Sequence, residues 1–435
     1  MPFAVYVLGL AVFAQGTSEF MLSGLVSAIA ADLDVSLFAA GLLTSAFAVG
    51  MVVGAPLTAL LCRSRPRRRA LLLFLAVFVA VHVVGALTPH YEVLLATRFV
   101  AALANAGFWA VALTTAVSLV PERSAGRATA VVVGGVTVAC VVGVPAGAVL
   151  GEQWGWRSAF WAVAAVSLPA ALAILRGVPG DRRGRAAGAD AGADAGADAG
   201  ADAGADAGAD AGGGVLAAAP AGGPVDVPAR VSVRDELRVL TGARLRPTLL
   251  VMALVQGATF CAFSYLEPLL TRESGLDAVW VPVALALFGA GAFLGVTAAG
   301  RLAAGPRPVV VIACGMAALT LGWCVLALAA GSPVAALALV ALLGMFAFGT
   351  GTALITRVLT SASGAPTLAG AFCTAAFNLG AAVGPWAGGL ALDAGFGYRA
   401  PVWVSALLMG LALLAAGARR ARSGLGPGRR ASEAA

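Results

Sequence analysis

Charge is what this sequence has least of. Only 11% of its 435 residues are Asp, Glu, Lys or Arg, while 60% are hydrophobic and the mean hydropathy is +0.94. Soluble domains carry roughly 25% charged residues, so this chain cannot coat a soluble globule of its size, and the apolar excess must face lipid. Lysine is absent: all 28 basic residues are arginine. The P-loop lysine that holds nucleotide phosphates is therefore missing, and the chain does not drive itself by ATP hydrolysis. With two histidines and no H-E-x-x-H or G-x-S-x-G stretch, no acid, base and nucleophile set can be assembled, so no enzyme is expected. The six cysteines lie in or beside apolar runs without disulfide or metal-ligand spacing. They read as small packing residues, and neither a cofactor nor a metal is implied.

What the sequence does have is long apolar runs. A helix crossing a bilayer needs about 20 mostly apolar residues, and twelve such runs occur: Ala4–Ile29, Phe38–Leu61, Ala70–Leu87, Val93–Val120, Ala128–Gly151, Ser158–Leu175, Thr248–Leu270, Val279–Leu302, Val309–Ala330, Val334–Leu359, Thr367–Leu392 and Ala400–Gly417. Open strands cannot satisfy their backbone in lipid, so an all-α membrane protein is expected. The first run resembles a signal peptide at Ala28-Ile29-Ala30, but it is too long and lacks a basic leader; it is expected to stay. With both termini cytoplasmic, 24 arginines fall inside and three outside (Arg157, Arg272 and Arg399), while Arg98 lies within a span. That asymmetry is the positive-inside signal. The net charge of +7 thus records topology, and no nucleic-acid partner is needed to explain it.

The halves repeat at a spacing of about 241 residues. Gln15-Gly16-Thr17-Ser18 answers Gln256-Gly257-Ala258-Thr259, Pro145 answers Pro385, and Gly155-Trp156-Arg157 with Trp161 answers Gly397-Tyr398-Arg399 with Trp403. The expected fold is twelve transmembrane helices in two pseudo-symmetric six-helix bundles, residues 1–176 and 248–435, the second with a cytoplasmic tail. A parallel repeat of this kind places a substrate site between the halves near mid-bilayer. Residues 177–247 form a cytoplasmic linker. Its Ala-Gly-Ala-Asp repeat, Asp190 to Asp210 at every fourth position, is too rich in glycine and too poor in bulky apolar residues to fold. A short interfacial helix is expected over Val231–Leu240.

Residues that are expensive to place in lipid mark where chemistry occurs. Glu19 lies inside the first span, where an acid costs about 2.5–3.5 kcal/mol and so faces a cavity or a partner. Gln15 and Ser18 share its helical face. Arg98 is the only arginine well inside a span, with Asn105 two turns further along the same face. At 1.5 Å per residue Arg98 lies about 7 Å further out than Glu19, so the two pair directly only through tilt or a bridging water. They are the candidate proton-coupling residues. Gln15, Ser18, Asn105, Gln256 and Asn378 are the candidate substrate cavity, half polar and half apolar. Glu267 reads as reaching the outer headgroups, and His82, alone among Val and Ala, as a packing residue. Without nucleotide chemistry, an ion gradient is the remaining source of drive: one charge crossing 100 mV yields about 2.3 kcal/mol, enough for about a 50-fold gradient of a neutral solute.

These residues resemble the major facilitator superfamily over the whole chain except the linker. Gly16-Thr17-Ser18-Glu19-Phe20, Gly54-Ala55-Pro56-Leu57 with Pro66-Arg67-Arg68-Arg69, and Arg98 through Ala104-Asn105-Ala106-Gly107 look more narrowly like twelve-helix drug:proton antiporters, and within those like actinobacterial chloramphenicol exporters. The resemblance implies that Arg67 and Arg68 gate the cytoplasmic side, that Arg98 takes part in proton transfer, and that Gly143, Pro145 and Gly147 form a tightly packed antiporter motif. Two departures stand out. No acid precedes the basic run at Leu61-Cys62-Arg63-Ser64-Arg65, and the clean Gly-Pro-x-x-Gly-Gly pattern falls in the eleventh span, at Gly384 and Pro385. The expected protein is thus a monomer of the plasma membrane that exchanges protons for an amphipathic drug. A sugar or nucleoside exporter, or a non-transporting membrane scaffold or sensor, are the alternatives.

Overall fold

The computed structural model describes residues 1–62, 66–178, 245–302, 308–361 and 366–424. Twelve of its helices are long and apolar enough to cross a bilayer: α1 Phe3–Gly24, α2 Leu37–Thr58, α3 Arg67–Leu87, α4 Tyr91–Ser118, α5 Ala125–Trp154, α6 Arg157–Gly177, α7 Arg246–Ser264, α8 Ala278–Leu302, α9 Val309–Ala329, α10 Pro333–Thr360, α11 Ala369–Asp393 and α12 Ala400–Gly417. Each coincides with an expected span, and the described residues contain no strand. The Ala-Gly-Ala-Asp repeat and the helix expected at Val231–Leu240 lie outside the described residues.

Lipid-facing stripes are legible on the peripheral helices. Leu168, Leu172 and Leu175 on α6, Leu321, Val325 and Leu328 on α9, and Leu407, Leu411 and Leu414 on α12 are all exposed, each set spaced i, i+4, i+7 along one helical face. In water such stripes would be costly; in hydrocarbon they are the solvated surface. The most deeply packed spans are α1, α4 and α7, and α1 and α4 carry the polar residues.

An even number of spans brings both termini to one end of the bundle, here the terminal face; the other end is the opposite face. At the opposite face the sequence repeat reappears as matched ion pairs. Arg157, opening α6, pairs with Asp32 beyond α1 and also donates to the Thr88 carbonyl. Arg399, before α12, pairs with Glu273 beyond α7 at 2.9 Å. The acids are 241 residues apart and the arginines 242, which is the offset of the repeat. Each arginine follows a turn on a glycine with φ near +80°, Gly155 and Gly397, a backbone that a β-carbon disfavours.

The first helix of each half departs from the single uninterrupted run expected. The α-helical part of α1 ends at Phe20, continues as a 3-10 turn over Met21–Gly24 and resumes in a short helix, Val26–Asp32. Ser23 donates its hydroxyl to the Phe20 carbonyl, a local bond that competes with the helical ladder, and Gly24 is a poor helix former. Likewise α7 stops at Ser264 and passes through Leu266–Pro268 into a π turn, Leu269–Glu273, where Pro268 has no N–H to offer.

The antiporter-like motifs turn out to be packing contacts in equivalent places, α5 against α1 and α11 against α7. A β-carbon on Gly143 would stand 2.0 Å from Thr17 Oγ1, and one on Gly384 would stand 2.1 Å from the Gly257 carbonyl oxygen. Gly147 sits over Met21. The irregular α5 version and the clean α11 version therefore hold equivalent packing positions, the first against a side chain and the second against backbone. Pro145 follows a π turn over Ala139–Gly143, and the carbonyl of Pro385 accepts a hydrogen bond from Tyr265 Oη at 2.9 Å.

Between the halves, α2 runs along α11 and α5 along α8. Ser45 donates to the Ala382 carbonyl at 2.7 Å. At the opposite face Glu267 does not reach for headgroups: its carboxylate accepts the backbone N–H of Ser27 at 3.1 Å and the Ser27 hydroxyl, both from the other half. The halves are thus joined at the opposite face.

Candidate functional site

Four polar side chains share one layer of the first half. Counted from the span ends at the opposite face, Ser18 and Glu19 on α1, His82 on α3 and Arg98 on α4 all lie between five and seven residues in, a depth of roughly 8–11 Å at the helical rise. Arg98 is only 1% exposed. It points inward and does not snorkel: Nη1 donates to Ser18 Oγ at 2.8 Å, Nη2 donates to the Ser18 carbonyl at 2.9 Å, and the guanidinium carbon lies 4.5 Å from the centre of the Phe47 ring. The carbonyl is available because Ser18 stands in the last turn of the α-helical segment, where carbonyls run out of intrahelical partners. The break in α1 and the seating of Arg98 are therefore one feature.

Ser18 also touches His82, whose Nε2 is 2.6 Å from the hydroxyl and whose Nδ1 is 2.7 Å from the Phe78 carbonyl. A carbonyl only accepts, so Nδ1 carries the proton; Nε2 is then the acceptor and the Ser18 hydroxyl donates to it. The polarity runs in one direction, from Arg98 through Ser18 and His82 to the Phe78 carbonyl. His82 is a packing residue, as expected, its ring lying between Phe78 and Phe160, but its bond to Ser18 was not foreseen. Matching depths across α1, α3 and α4 would have found it, because a histidine level with a buried arginine and a serine is no longer alone.

Glu19 is half-buried beside this chain. Its carboxylate feels the charge of Arg98, yet among the described residues it has no hydrogen bond and no ion pair within 4.0 Å. The other acids of the spans, Glu92, Glu152 and Asp393, lie within three residues of a span end. Glu19 is therefore a carboxyl deep in a span with no fixed partner, next to a cation held by other groups.

Further along the same two helices, buried polar atoms go without partners. Both amide atoms of Gln15, fully buried, are unsatisfied, as are Asn105 Oδ1, Arg98 Nε and Thr115 Oγ1. Asn105 Nδ2 meets only Met51 Sδ, at 3.5 Å. An unsatisfied buried polar group costs about 1–3 kcal/mol, so these atoms are the ones along the α1–α4 seam with most to gain from a polar partner. The other expected cavity residues are not part of it. Asn378 Nδ2 donates to the Thr374 carbonyl of its own helix at 3.1 Å, and Gln256 is half-buried on α7. Arg67 is exposed and Arg68 half-buried at the start of α3, and neither has a partner among the described residues.

Between the halves lies a narrow aromatic cleft whose free space, ≈ 10 Å³, is that of a single water; it is lined by Phe20, Cys140 and Val144 of the first half and by Thr259, Phe260, Phe263, Phe288 and Phe348 of the second. Phe263 stacks on Phe288 with centroids 4.6 Å apart; Phe20 lies 5.7 Å from Phe260 and 6.3 Å from Phe263. Ligand pockets start near 300 Å³, so the cleft is closed to any such guest until these rings part. Such walls suit a flat aromatic group, each ring contact contributing about 0.5–1.5 kcal/mol beyond burial. None of these phenylalanines stands out in the sequence, where a ring inside an apolar span has no contrast with its neighbours. The five described cysteines are free, and no cluster of metal-ligating side chains occurs among the described residues.

Comparison with known proteins agrees with this architecture. A family model described as Major Facilitator Superfamily matches residues 8–372. A chloramphenicol resistance protein of Streptomyces lividans is 49% identical over 416 residues, covering 96% of each chain. The inner membrane transport protein YdhP of Escherichia coli K12 is 32% identical, covering 95% of this chain and 94% of its own. Among solved structures, a bacterial homologue of the human lysosomal transporter Spinster, in an inward-facing and unoccupied conformation, superposes with a TM-score of 0.66 at 16% identity over 95% of both chains.

Proposed function

Because the chain belongs to the major facilitator superfamily, whose members are transporters and not enzymes, we propose that it is a proton-coupled antiporter exporting an amphipathic antibiotic, chloramphenicol or a related phenicol. The substrate class rests on the 49% identical relative and is supported by the aromatic cleft. The coupling rests on one observation: Glu19, the unpaired carboxyl, immediately precedes Phe20, which walls that cleft. A guest lodged against Phe20 alters the surroundings of the neighbouring carboxyl, which is what lets drug and proton displace one another.

The cycle proceeds as follows. The protein sits in the plasma membrane as a monomer with its arginine-rich terminal face in the cytoplasm. The halves, 1–176 and 248–435, are joined at the outer face by Ser27 and Glu267, so drug enters from the cytoplasmic side and part of its surface replaces ring–ring contacts. Glu19 gives up its proton inward, the halves rock, and outside Glu19 is reprotonated as the drug leaves. Arg98, held on Ser18, stabilises the carboxylate in the interval. Residues 177–247 tether the halves.

The test is drug accumulation in sensitive cells expressing the protein, with and without an uncoupler. Chloramphenicol accumulation should fall, and the uncoupler should restore it; unchanged accumulation removes the substrate. Glu19→Gln, delivered to the membrane, should lose uphill efflux, and wild-type efflux in that variant removes Glu19 from the proton path. Sugars or nucleosides would surrender hydration to phenyl rings that cannot replace it, so in a substrate panel they should rank below phenicols.

A further inference from the structure

We propose that His82 is a positioning residue: through the Ser18 hydroxyl it fixes the Arg98 guanidinium to the end of α1, beside Glu19 but out of contact with it. The inference rests on Glu19 being the proton carrier and adds what keeps Arg98 from becoming its permanent counter-ion.

An arginine and a carboxylate near one another inside a span ordinarily pair, because charges placed in hydrocarbon seek a partner. Here they do not. Arg98 spends two donors on Ser18, one on its hydroxyl and one on its carbonyl. The hydroxyl accepts well only if its own proton is committed elsewhere, and the acceptor that commits it is His82 Nε2 at 2.6 Å. That nitrogen is an acceptor because Nδ1 is tied to the Phe78 carbonyl one turn back on α3. The ring is further fixed between Phe78, at 4.1 Å, and Phe160, at 5.7 Å. Each link sets the polarity of the next, the situation in which hydrogen bonds reinforce one another.

The consequence concerns coupling. An Arg98 free to swing onto Glu19 would leave the carboxylate satisfied on both sides of the membrane, and proton exchange would stall while the drug cleft stayed intact. The groups around the carboxyl are Arg98 from α4, Ser18 on its own helix with His82 behind it on α3, and the Cys140 thiol from α5. Of these, Arg98 is the one charge, so its position decides whether Glu19 exchanges.

The experiment compares uphill, gradient-driven drug uptake with drug counterflow in reconstituted vesicles, counterflow needing no proton. His82→Phe keeps ring packing and loses both hydrogen bonds; His82→Gln loses the ring but keeps an acceptor for Ser18 and a donor for the Phe78 carbonyl. The expected result is that His82→Phe retains counterflow and loses uphill uptake by about ten-fold, the scale of one hydrogen bond to a charged group, and that His82→Gln restores most of it. Ser18→Ala should lose uphill uptake as His82→Phe does, and the double variant should be no worse, since both cut one chain. Normal uphill uptake in His82→Phe, or failure of Gln to do better than Phe, overturns the proposal. Should His82→Phe not reach the membrane, Ser18→Ala decides: full uphill uptake there overturns it equally. Glu19→Gln, run alongside, separates the two ideas. If it keeps uphill uptake the coupling reading falls; if it loses uptake while His82→Phe does not, only the role of His82 falls.

Discussion

Replacing Gly384 by alanine should loosen the second half in a way that no side-chain change can repair. The added β-carbon would stand 2.1 Å from the Gly257 carbonyl oxygen, 2.9 Å from its carbon and 3.0 Å from the Cys261 nitrogen, all backbone atoms of α7. Carbon–oxygen contacts settle near 3.3 Å, so α7 and α11 must part by about 1 Å. Overpacking on this scale costs about 1–3 kcal/mol, which for a chain of this size lowers the midpoint of unfolding by roughly 2–10 °C. Gly143→Ala is the symmetric change with a different obstacle: the nearest atom is the Thr17 hydroxyl, at 2.0 Å, which is bonded to the Phe13 carbonyl. Its penalty should be smaller, and Thr17→Ala should relieve part of it. Gly410→Ala, with nothing within 4 Å, is the control. Thermal stability in detergent, followed by size-exclusion fluorescence, ranks the variants. A Gly384→Ala protein as stable as Gly410→Ala would refute the claim that backbone contact dictates these glycines.

Three further outcomes are expected. Phe263→Ala removes the stacked partner of Phe288 and should weaken phenicol binding about 3–10-fold while leaving proton coupling in place, which binding and uphill uptake measured on the same vesicles will show. Asp32 loses solvation on burial, but hydrogen bonds from Arg157 and Trp156 and the Arg157 charge outweigh this and hold its carboxyl below the usual 3.8. Its contribution to stability is therefore present above that value and is lost as pH falls through the lower folded one. The pair is partly exposed, 33% and 43%, so the effect is below about 1 kcal/mol; Asp32→Asn should flatten the acid limb of a stability profile, and an unchanged limb would deny the pair any role. Deleting most of Ala189–Gly214 should leave transport intact, as drug efflux from cells expressing the shortened protein will test.

The topology was legible because lipid leaves little choice: apolar runs of span length become helices, and all twelve did. The repeat was legible from one side only. Arg157 and Arg399 were seen as matching residues, but their acids, Asp32 and Glu273, close short irregular helical turns whose flanking sequences do not match. The polar groups inside the spans were half legible. Glu19 and Arg98 announce themselves by their cost in hydrocarbon. What they do with each other depends on helix rotation and on a break in α1 that frees one carbonyl, and neither is written in hydropathy. His82 is buried and packed between Phe78 and Phe160, as a packing residue should be, but its bond to Ser18 joins α3 to α1 and cannot be read from its apolar neighbours in sequence. The aromatic cleft was invisible for a related reason: phenylalanine and leucine look alike to a lipid criterion and differ only in what they stack against.

Two kinds of contact divide the molecule. Within each half, helices meet backbone to backbone, as at Gly384 on Gly257 and Gly295 on Met345, and loops are clamped by the repeated arginine pairs. Such contacts resist sliding, because interiors packed to this density do not deform continuously. Between the halves, contacts at the opposite face each involve a side chain, among them the Glu267 carboxylate on the Ser27 N–H and hydroxyl, the Tyr265 hydroxyl beside Gly41, and the rings around the cleft, and a side chain can withdraw by changing rotamer. Among the described glycines the tightest backbone approach between the halves is elsewhere: a β-carbon on Gly289 of α8 would stand 2.3 Å from the Cys140 carbonyl oxygen on α5. It sits near the middle of both spans, at the π turn that precedes Pro145. Side-chain contacts at the opposite face and a tight backbone approach at mid-depth are consistent with the rocking proposed above, since displacement is least at a pivot and grows toward the faces.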